Sequence, residues 1–247
     1  IREISGTNMM LITTSFGSNT GEGGDAVNAM ITDVLTKAAP GSNPKIVESS
    51  VVGPSVASDI KRAAVLSVFF SLFAIGLYIL LRFRRYQYSL GALASLVHDV
   101  SIVMGIFSFF GHFEILPFSL EVDQAFIAAI LTVIGYSIND TVIVFDRIRE
   151  NLSEMKSSPL GQIYNDSINQ TFSRTIITSS TVLLTILVMF LFGGDVIRGF
   201  MFALLIGVGV GTYSSMFIAS PIAYDLIRAV EGENREKLKA AAPVAKI

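Results

Sequence analysis

Five long apolar segments constrain the fold of this chain more than any other feature of its sequence. A helix that crosses a bilayer needs about 20 mostly apolar residues, and each segment approaches that length with few or no charged side chains. The five segments are Ala63–Leu81, Leu90–Phe110, Ala125–Phe145, Thr175–Phe192 and Gly199–Ile222. As buried helices of a soluble core, all five would need to lack a polar face. The sequence therefore predicts a mainly α, polytopic helical bundle that spans a lipid bilayer five times.

The composition agrees with this prediction and limits the chemistry. Only 15% of the residues are charged, against about a quarter in a soluble domain. With no cysteine and two histidines, the chain has no disulfide, no thiolate metal site and too few imidazoles for a His-rich metal centre. No nucleophile–base pair or phosphate loop is visible. We expect no enzyme activity, no metal and no cofactor, and the net charge of -2 gives no reason to expect nucleic acid as a partner.

Residues 1–60 have the composition of a soluble region. Asn8–Phe16 and Lys45–Val52 are β-like, and Gly24–Lys37 has apolar residues at helical spacing. A β-α-β piece of this size buries too little surface to be stable alone, so we expect it to be part of an α+β domain. The predicted organisation is a partial domain at 1–60, a transmembrane domain at 61–228 and a tail at 229–247.

The basic residues predict the orientation of the bundle, because short cytoplasmic loops are enriched in Lys and Arg. Beyond the first apolar segment, alternate connections and the C-terminal tail carry all of these residues except Arg198. They are Arg82, Arg84, Arg85, Arg147, Arg149, Lys156, Arg174, Arg228, Arg235, Lys237, Lys239 and Lys246. We therefore expect residues 1–60 outside the cell and the tail inside. We also expect one further span before residue 1.

A carboxylate interrupts the third apolar segment. Asp140 lies about four helical turns after Ala125 and more than one turn before Arg147. A charge at that depth costs roughly 2.5–3.5 kcal/mol on insertion scales, so it must face protein or water. Tyr136 lies one turn earlier on the same face, and Asn139 directly precedes the carboxylate. Asp140 is either a functional group or a structural one that ties helices together, and the residues favour a function.

The fourth apolar segment offers a partner for this carboxylate. Arg174 opens it, and Thr178, Thr181 and Thr185 follow on one helix face. An acid and a guanidinium at similar depth on adjacent helices can pair while the acid is charged and separate when it is protonated, as a proton-gated switch requires. The alternative is an inert stripe, in which each threonine hydroxyl bonds the backbone one turn earlier.

Two further features have structural interpretations that we favour. His98 and Asp99 lie near the middle of the second segment, where an imidazole could join a proton relay. Adjacent helical residues point about 100° apart, so a role in packing or stability is the better interpretation. The fifth segment repeats small residues at every fourth position, which favours close helix packing. They are Gly199, Ala203, Gly207, Gly211, Ser215 and Ala219.

The polar part of the third segment resembles a known family. Gly135–Asn151, GYSINDTVIVFDRIREN, closely resembles the signature segment of SecF, a membrane subunit of bacterial Sec protein export that acts with SecD. Val52–Val56, Val97–Asp99 and Ser173–Thr175 are also similar to SecF. The likeness covers residues 50–228.

The resemblance implies a protein of the bacterial cytoplasmic (inner) membrane with six spans and a large periplasmic domain between the first two. This chain would begin partway through that domain and lack the first span, and it could be the C-terminal part of a fused SecDF. The resemblance also implies a proton path at the SecD–SecF interface. An aspartate and an arginine of that path match Asp140 and Arg174, with Tyr136, Asn139, Thr178 and Thr181 as candidate supporting residues.

The function implied is that of an accessory subunit that uses the proton-motive force to promote preprotein movement across the membrane. The expected partners are SecD (separate or fused), the SecYEG translocon with its associated export subunits, and the preprotein. SecF belongs to the resistance-nodulation-division class of transporters, so a proton-driven exporter of lipids or small molecules is the alternative. A non-transporting scaffold is a third reading. The coupling ion is expected to be H⁺, with Na⁺ left open.

Overall fold

The computed structural model describes residues 2–3, 10–12, 24–38, 44–47, 54–113, 118, 120 and 122–241. The chain divides into two compact units, Ile1–Val65 and Leu66–Ile247.

The described residues of the smaller unit include a complete helix, the beginning of a second helix and a short antiparallel strand pair. Strand β1 (Arg2–Glu3) pairs with β2 (Met10–Leu11), and β2 lies inside the segment predicted as a strand. Helix α1 (Gly24–Ala38) forms where the apolar spacing predicts it, with Asp25 in the first turn and Lys37 in the last, as the helix dipole favours. Of the predicted second strand, residues 45–47 have no regular secondary structure, and residues 48–52 lie outside the described residues.

The larger unit is a helical bundle. Its helices are α2 (Pro54–Phe83, which starts in the smaller unit), α3 (Tyr86–His112), α4 (Gln124–Glu154), α5 (Leu160–Phe192), α6 (Asp195–Ser214) and α7 (Ser220–Ala241), with a π-helical turn at Ser215–Ala219 between the last two. Five helical stretches in the described part of the chain are long and apolar enough to cross a membrane, with mean hydropathy of 1.7 to 2.5. The predicted fold class, a mainly α polytopic bundle with five spans, is confirmed.

The helices extend beyond the apolar segments from which they were predicted. The spans run over Ser58–Phe83, Tyr86–His112, Gln124–Glu154, Leu160–Phe192 and Ile197–Val230. Backbone hydrogen bonds continue a helix into water wherever its residues allow, so hydropathy underestimates helix length. Arg174 therefore lies 14 residues inside α5 instead of opening it, and α7 continues past the predicted boundary at residue 228.

Helix α4 lies against α3, α5 and α6 in the bundle. Its buried apolar side chains, among them Val133, Ile134 and Phe145, are fully covered. The small side chains of α6 permit a close approach to α4, because Gly207 lies directly against Val133 and Gly211 against Ser137. Polar groups of α4 are therefore held inside the bundle, between helices on several sides.

Ion pairs join the ends of two helices at the basic end of the bundle. Arg82, at the end of α2, lies 3.1 Å from the carboxylate of Asp146 on α4, and Arg149 pairs with the same carboxylate at 3.1 Å. Between α2 and α3 the backbone of Arg84 has a φ of 55°, the left-handed conformation that ends many helices. The partly exposed ion pairs contribute little to stability individually.

Candidate functional site

Asp140 is fully buried and bonds across the α4–α5 contact. Its Oδ2 accepts a hydrogen bond of 3.2 Å from the Ser179 hydroxyl of α5. The Tyr136 hydroxyl donates to the oxygen of Ser179, also over 3.2 Å. Since a serine hydroxyl has one proton to donate and lone pairs to accept, these three side chains form a directional chain from Tyr136 through Ser179 to Asp140.

Two buried oxygens beside this chain have no hydrogen-bond partner in the described part of the protein. One is Oδ1 of Asp140, and the other is Oγ1 of Thr175, which lies one turn before Ser179 on α5. Most buried polar atoms in proteins are bonded, and an unmet acceptor on a carboxylate is costly. The second carboxylate oxygen of Asp140 can therefore bind a proton, or accept a hydrogen bond from a donor other than Ser179.

Arg174 does not form an ion pair with Asp140. The arginine is on the exposed side of α5, and within the described residues its guanidinium makes no contact with Asp140 of ion-pair length, although the two groups are within electrostatic reach of each other. The structure thus brings Asp140 and Arg174 to neighbouring helices without joining them. Their proposed role in a proton path stays a prediction.

The threonine stripe of α5 has its hydroxyls bonded to its own backbone. Thr178 donates to the carbonyl of Arg174 over 2.9 Å, and Thr181 donates to that of Ile177 over 2.8 Å. Both threonines are exposed, and Thr185 follows the same pattern. This is the hydrogen bonding expected of the inert stripe.

The α5 face that meets α4 instead carries Thr171, Thr175 and Ser179, all buried and four residues apart. This second stripe was not predicted from the sequence. Its four-residue spacing is visible there, but Arg174 marks the neighbouring face of α5 as polar. Asn139 is exposed on α4, so the structure does not place it beside Asp140 in the buried site.

A second buried carboxylate joins three helices. Asp99 of α3 accepts hydrogen bonds at Oδ2 from Ser137 of α4, over 2.6 Å, and from Ser214 of α6, over 2.8 Å. Its Oδ1 lies 3.2 Å from Nδ1 of His98, which is 34% exposed. Asp99, Ser137 and Ser214 are all fully buried. Sequence analysis singled out His98 and Asp99 but not the two serines.

Asn151 joins the other end of the α4–α5 contact. Its Nδ2 donates to the Ser167 hydroxyl over 2.8 Å and to Oε1 of Gln170 over 3.0 Å. On α4, 11 residues separate Asp140 from Asn151, and on α5, 12 residues separate Ser167 from Ser179. Both bonds therefore fit one antiparallel register of the two helices.

The small residues of α6 lie where that helix meets α4. A methyl group added at Gly207 would collide with Val133, and one at Gly211 would lie 3.0 Å from Cβ of Ser137. Ala203 is fully buried in the same face, and Gly199 is partly buried. Among the residues that the structure describes, there is no group of three or more His, Asp or Glu side chains that could hold a metal ion.

Residues 30–229, which contain the whole of this site, match the family described as "Protein export membrane protein SecD/SecF, C-terminal". The chain belongs to the SecD/SecF family. SecF of Rhodothermus marinus is 50% identical over 200 residues, which are 81% of this chain and 64% of the relative. SecF of Cereibacter sphaeroides is 47% identical over 182 residues, 73% of this chain and 53% of the relative.

Two further similarities extend to SecDF proteins. SecDF of Brucella abortus is 48% identical over 172 residues, 70% of this chain and 22% of that protein. A crystal structure of SecDF in a super-membrane-facing form aligns with a TM-score of 0.69 and 34% identity, covering 85% of this chain and 27% of the other. The chain thus spans part of the length of its SecD/SecF relatives, and the predicted resemblance to SecF is confirmed.

Proposed function

We propose that this chain is part of an accessory subunit of the Sec protein-export machinery, and that Asp140 couples export to the proton-motive force. The supporting observation is a fully buried carboxylate, bonded at one oxygen by Ser179 and unpartnered at the other within the described residues. Ionisable groups at membrane depth mark proton and ion pathways. The relatives named above are protein translocase subunits.

The directional chain from Tyr136 to Asp140 supplies a route for the proton. Tyr136 is only partly buried, so it connects the buried carboxylate with a less enclosed part of the bundle surface. Ser179 can pass a proton on, because it accepts from Tyr136 and donates to Asp140. In this mechanism, Tyr136 and Ser179 pass the proton on, and Asp140 binds it. Binding of the proton neutralises the charge of the Asp140 carboxylate.

Neutralisation changes the attraction between α4 and α5. A charged Asp140 attracts the nearby Arg174, and a protonated one does not. Arg174 is then available to another acceptor. Because a guanidinium on the outer face of a spanning helix is costly in lipid, we assign that acceptor to a helix of SecD, separate or fused. Each proton that crosses 100 mV supplies about 2.3 kcal/mol, so a few protons can shift a conformational equilibrium.

The basic residues give the proposed orientation of this switch in the membrane. The enrichment of basic residues at one end of the bundle supports a cytoplasmic location for that end, with residues 1–60 periplasmic, in the bacterial inner membrane. The further partners we propose are the SecYEG translocon and the preprotein. H⁺ is proposed as the coupling ion, and separate H⁺ and Na⁺ gradients distinguish it from Na⁺.

The test is Asp140→Asn in the full-length protein, reconstituted in proteoliposomes with SecD and SecYEG. The amide keeps the shape of the side chain and can still accept from Ser179, but it cannot bind a proton reversibly. We expect proton flux and proton-dependent preprotein export to be lost. Asp225→Asn, an exposed carboxylate on α7, is the matched control and should retain both. Proton-dependent export that persists in Asp140→Asn refutes the proposal.

A further inference from the structure

The buried carboxylate of Asp99 takes part in no step of the proposed mechanism. One of its oxygens accepts from serines on two other helices, over 2.6 Å and 2.8 Å. Hydrogen bonds to an ionised carboxylate are short and stronger than neutral ones. A single oxygen atom therefore connects α3 to α4 and α6 in the interior of the bundle.

This connection acts on the same helix that carries Asp140. Ser137 precedes Asp140 by three residues, so the two side chains lie about 60° apart around α4 and about one turn apart along it. The Ser137 side chain is directed to Asp99, whereas Asp140 is directed to Ser179 of α5. Helix α4 is thus held from two directions, and any rotation that releases Ser137 also moves Asp140.

The packing around Ser137 leaves it little freedom. A methyl group at Gly211 would lie 3.0 Å from Cβ of Ser137 and 3.2 Å from its hydroxyl oxygen. The same close approach of α6 brings Ser214 to Asp99. Ser214 is followed by the π-helical turn Ser215–Ala219, an element that occurs often at functional sites. The serine–carboxylate–serine contact therefore lies where α6 packs against α4 through Gly211.

The two buried aspartates differ in how their oxygens are satisfied. Oδ2 of Asp99 accepts from two serines and its Oδ1 lies 3.2 Å from Nδ1 of His98, whereas Oδ1 of Asp140 has no partner among the described residues. We infer that Asp99 is a positioning residue, which fixes the rotation of α4 through Ser137 and so presents Asp140 to Ser179, and that it carries no proton itself. The part that concerns Asp140 rests on the proposed function.

This role makes a distinct prediction for an amide at the same position. In Asp99→Asn, the amide oxygen can accept from Ser137 and Ser214, and the amide N–H can donate to His98 when Nδ1 of that ring is unprotonated. All three contacts are then kept without a charge. In Asp99→Leu, which has the same branched shape but is larger, none of them is kept. A proton carrier behaves differently, because the amide would abolish its function as fully as leucine.

The experiment measures proton flux per folded complex in proteoliposomes that contain the full-length protein and SecD. We expect Asp99→Asn to retain flux within about threefold of the parent and Asp99→Leu to lose about tenfold or more, since small displacements at a reacting group have large effects on rate. Asp225→Asn is the control for the amide. Loss of flux in Asp99→Asn, at normal levels of folded protein, overturns the inference.

A second pair of variants keeps the inference testable if Asp99→Leu does not fold. The double substitution Ser137→Ala with Ser214→Ala leaves Asp99 in place but removes both donors. We expect it to lower flux about tenfold and to shift the pH at which flux is half-maximal, which a mere loss of folded protein would not do. Ser101→Ala, an exposed serine of α3 that bonds its own backbone, should change neither quantity. An unchanged pH midpoint and flux in the double variant overturn the inference.

The proposed function and this inference can fail separately. If Asp140→Asn retains proton-dependent flux, the proposed function is wrong, whatever Asp99 does. If Asp140→Asn abolishes flux and Asp99→Asn abolishes it too, the proposed function stands and the positioning role is wrong.

Discussion

Ser179 of α5 donates a hydrogen bond to the buried carboxylate of Asp140 on α4, while its own oxygen accepts from Tyr136. Ser179 therefore contacts two polar residues of α4, one helical turn apart, from the neighbouring helix. A change in the charge of Asp140 therefore alters the hydrogen bond that Ser179 donates from α5.

Substitution of Ser179 by alanine should disturb both stability and function. It removes the donor to Asp140 and the acceptor of Tyr136. A buried acceptor that loses its donor costs about 1–3 kcal/mol, and more when the acceptor is charged. We expect a lower thermal midpoint in detergent and a reduced proton flux in proteoliposomes. Ser180→Ala, at the exposed neighbouring position, is the matched control. If Ser179→Ala and Ser180→Ala have the same thermal midpoint and the same proton flux, the hydrogen-bond chain from Tyr136 to Asp140 is contradicted.

Substitution of Arg174 should separate function from stability. Arg174 is exposed and makes no ion pair with Asp140 among the described residues, so Arg174→Met should change the stability of the isolated chain by no more than about 0.5 kcal/mol. If its partner is an acceptor on SecD, the same variant should lose proton flux in the complete complex. Thr181→Val, on the same exposed face, should keep it. Unchanged flux in Arg174→Met removes this residue from the path.

Asn151 offers a test of the helix register at a distance from Asp140. Asn151→Ala loses the bonds to Ser167 and Gln170, but Ser167 still donates to the carbonyl of Ile163 over 2.6 Å. The expected loss is therefore about 2 kcal/mol, the net value of two typical hydrogen bonds. Chemical denaturation of the detergent-solubilised protein measures it. The control is Asn169→Ala, at an exposed position of α5, and a larger effect in the control would contradict the role in register.

The sequence was sufficient to predict the spans and the position of a carboxylate, Asp140, inside one of them. Both predictions depend on local properties of the sequence. Twenty apolar residues identify a membrane helix wherever the other helices lie, and a carboxylate within them is conspicuous. The ends of the helices were predicted less well. Helix α4 continues through its charged residues to Glu154, where hydropathy gives no signal.

Ser179 and Ser214 could not be predicted, because their roles depend on how the helices are rotated and paired. Thr178 and Ser179 are neighbours in sequence, yet only Ser179 faces α4. How α5 packs against its neighbouring helices decides which of its two polar stripes faces inward, and the sequence of α5 alone does not specify that packing. Ser214 is 115 residues from Asp99 in the chain, and its position depends on the close approach of α6.

The crossing of α4 and α6 should be sensitive to the size of one side chain. In Gly207→Ala, the added methyl would collide with Val133, and overpacking of a tight contact costs about 1–3 kcal/mol. Gly209 has open space where its methyl would lie, so Gly209→Ala should be neutral or should stabilise the helix by up to about 1 kcal/mol. Thermal unfolding of the two single variants side by side measures the difference.

Because Ser137 and Ser214 approach Asp99 through this same crossing, Gly207→Ala should also lower proton flux per folded complex. A Gly207→Ala protein as stable as Gly209→Ala would show that the two helices can separate at no cost, and the close crossing would then not hold Asp99 and Ser137 together.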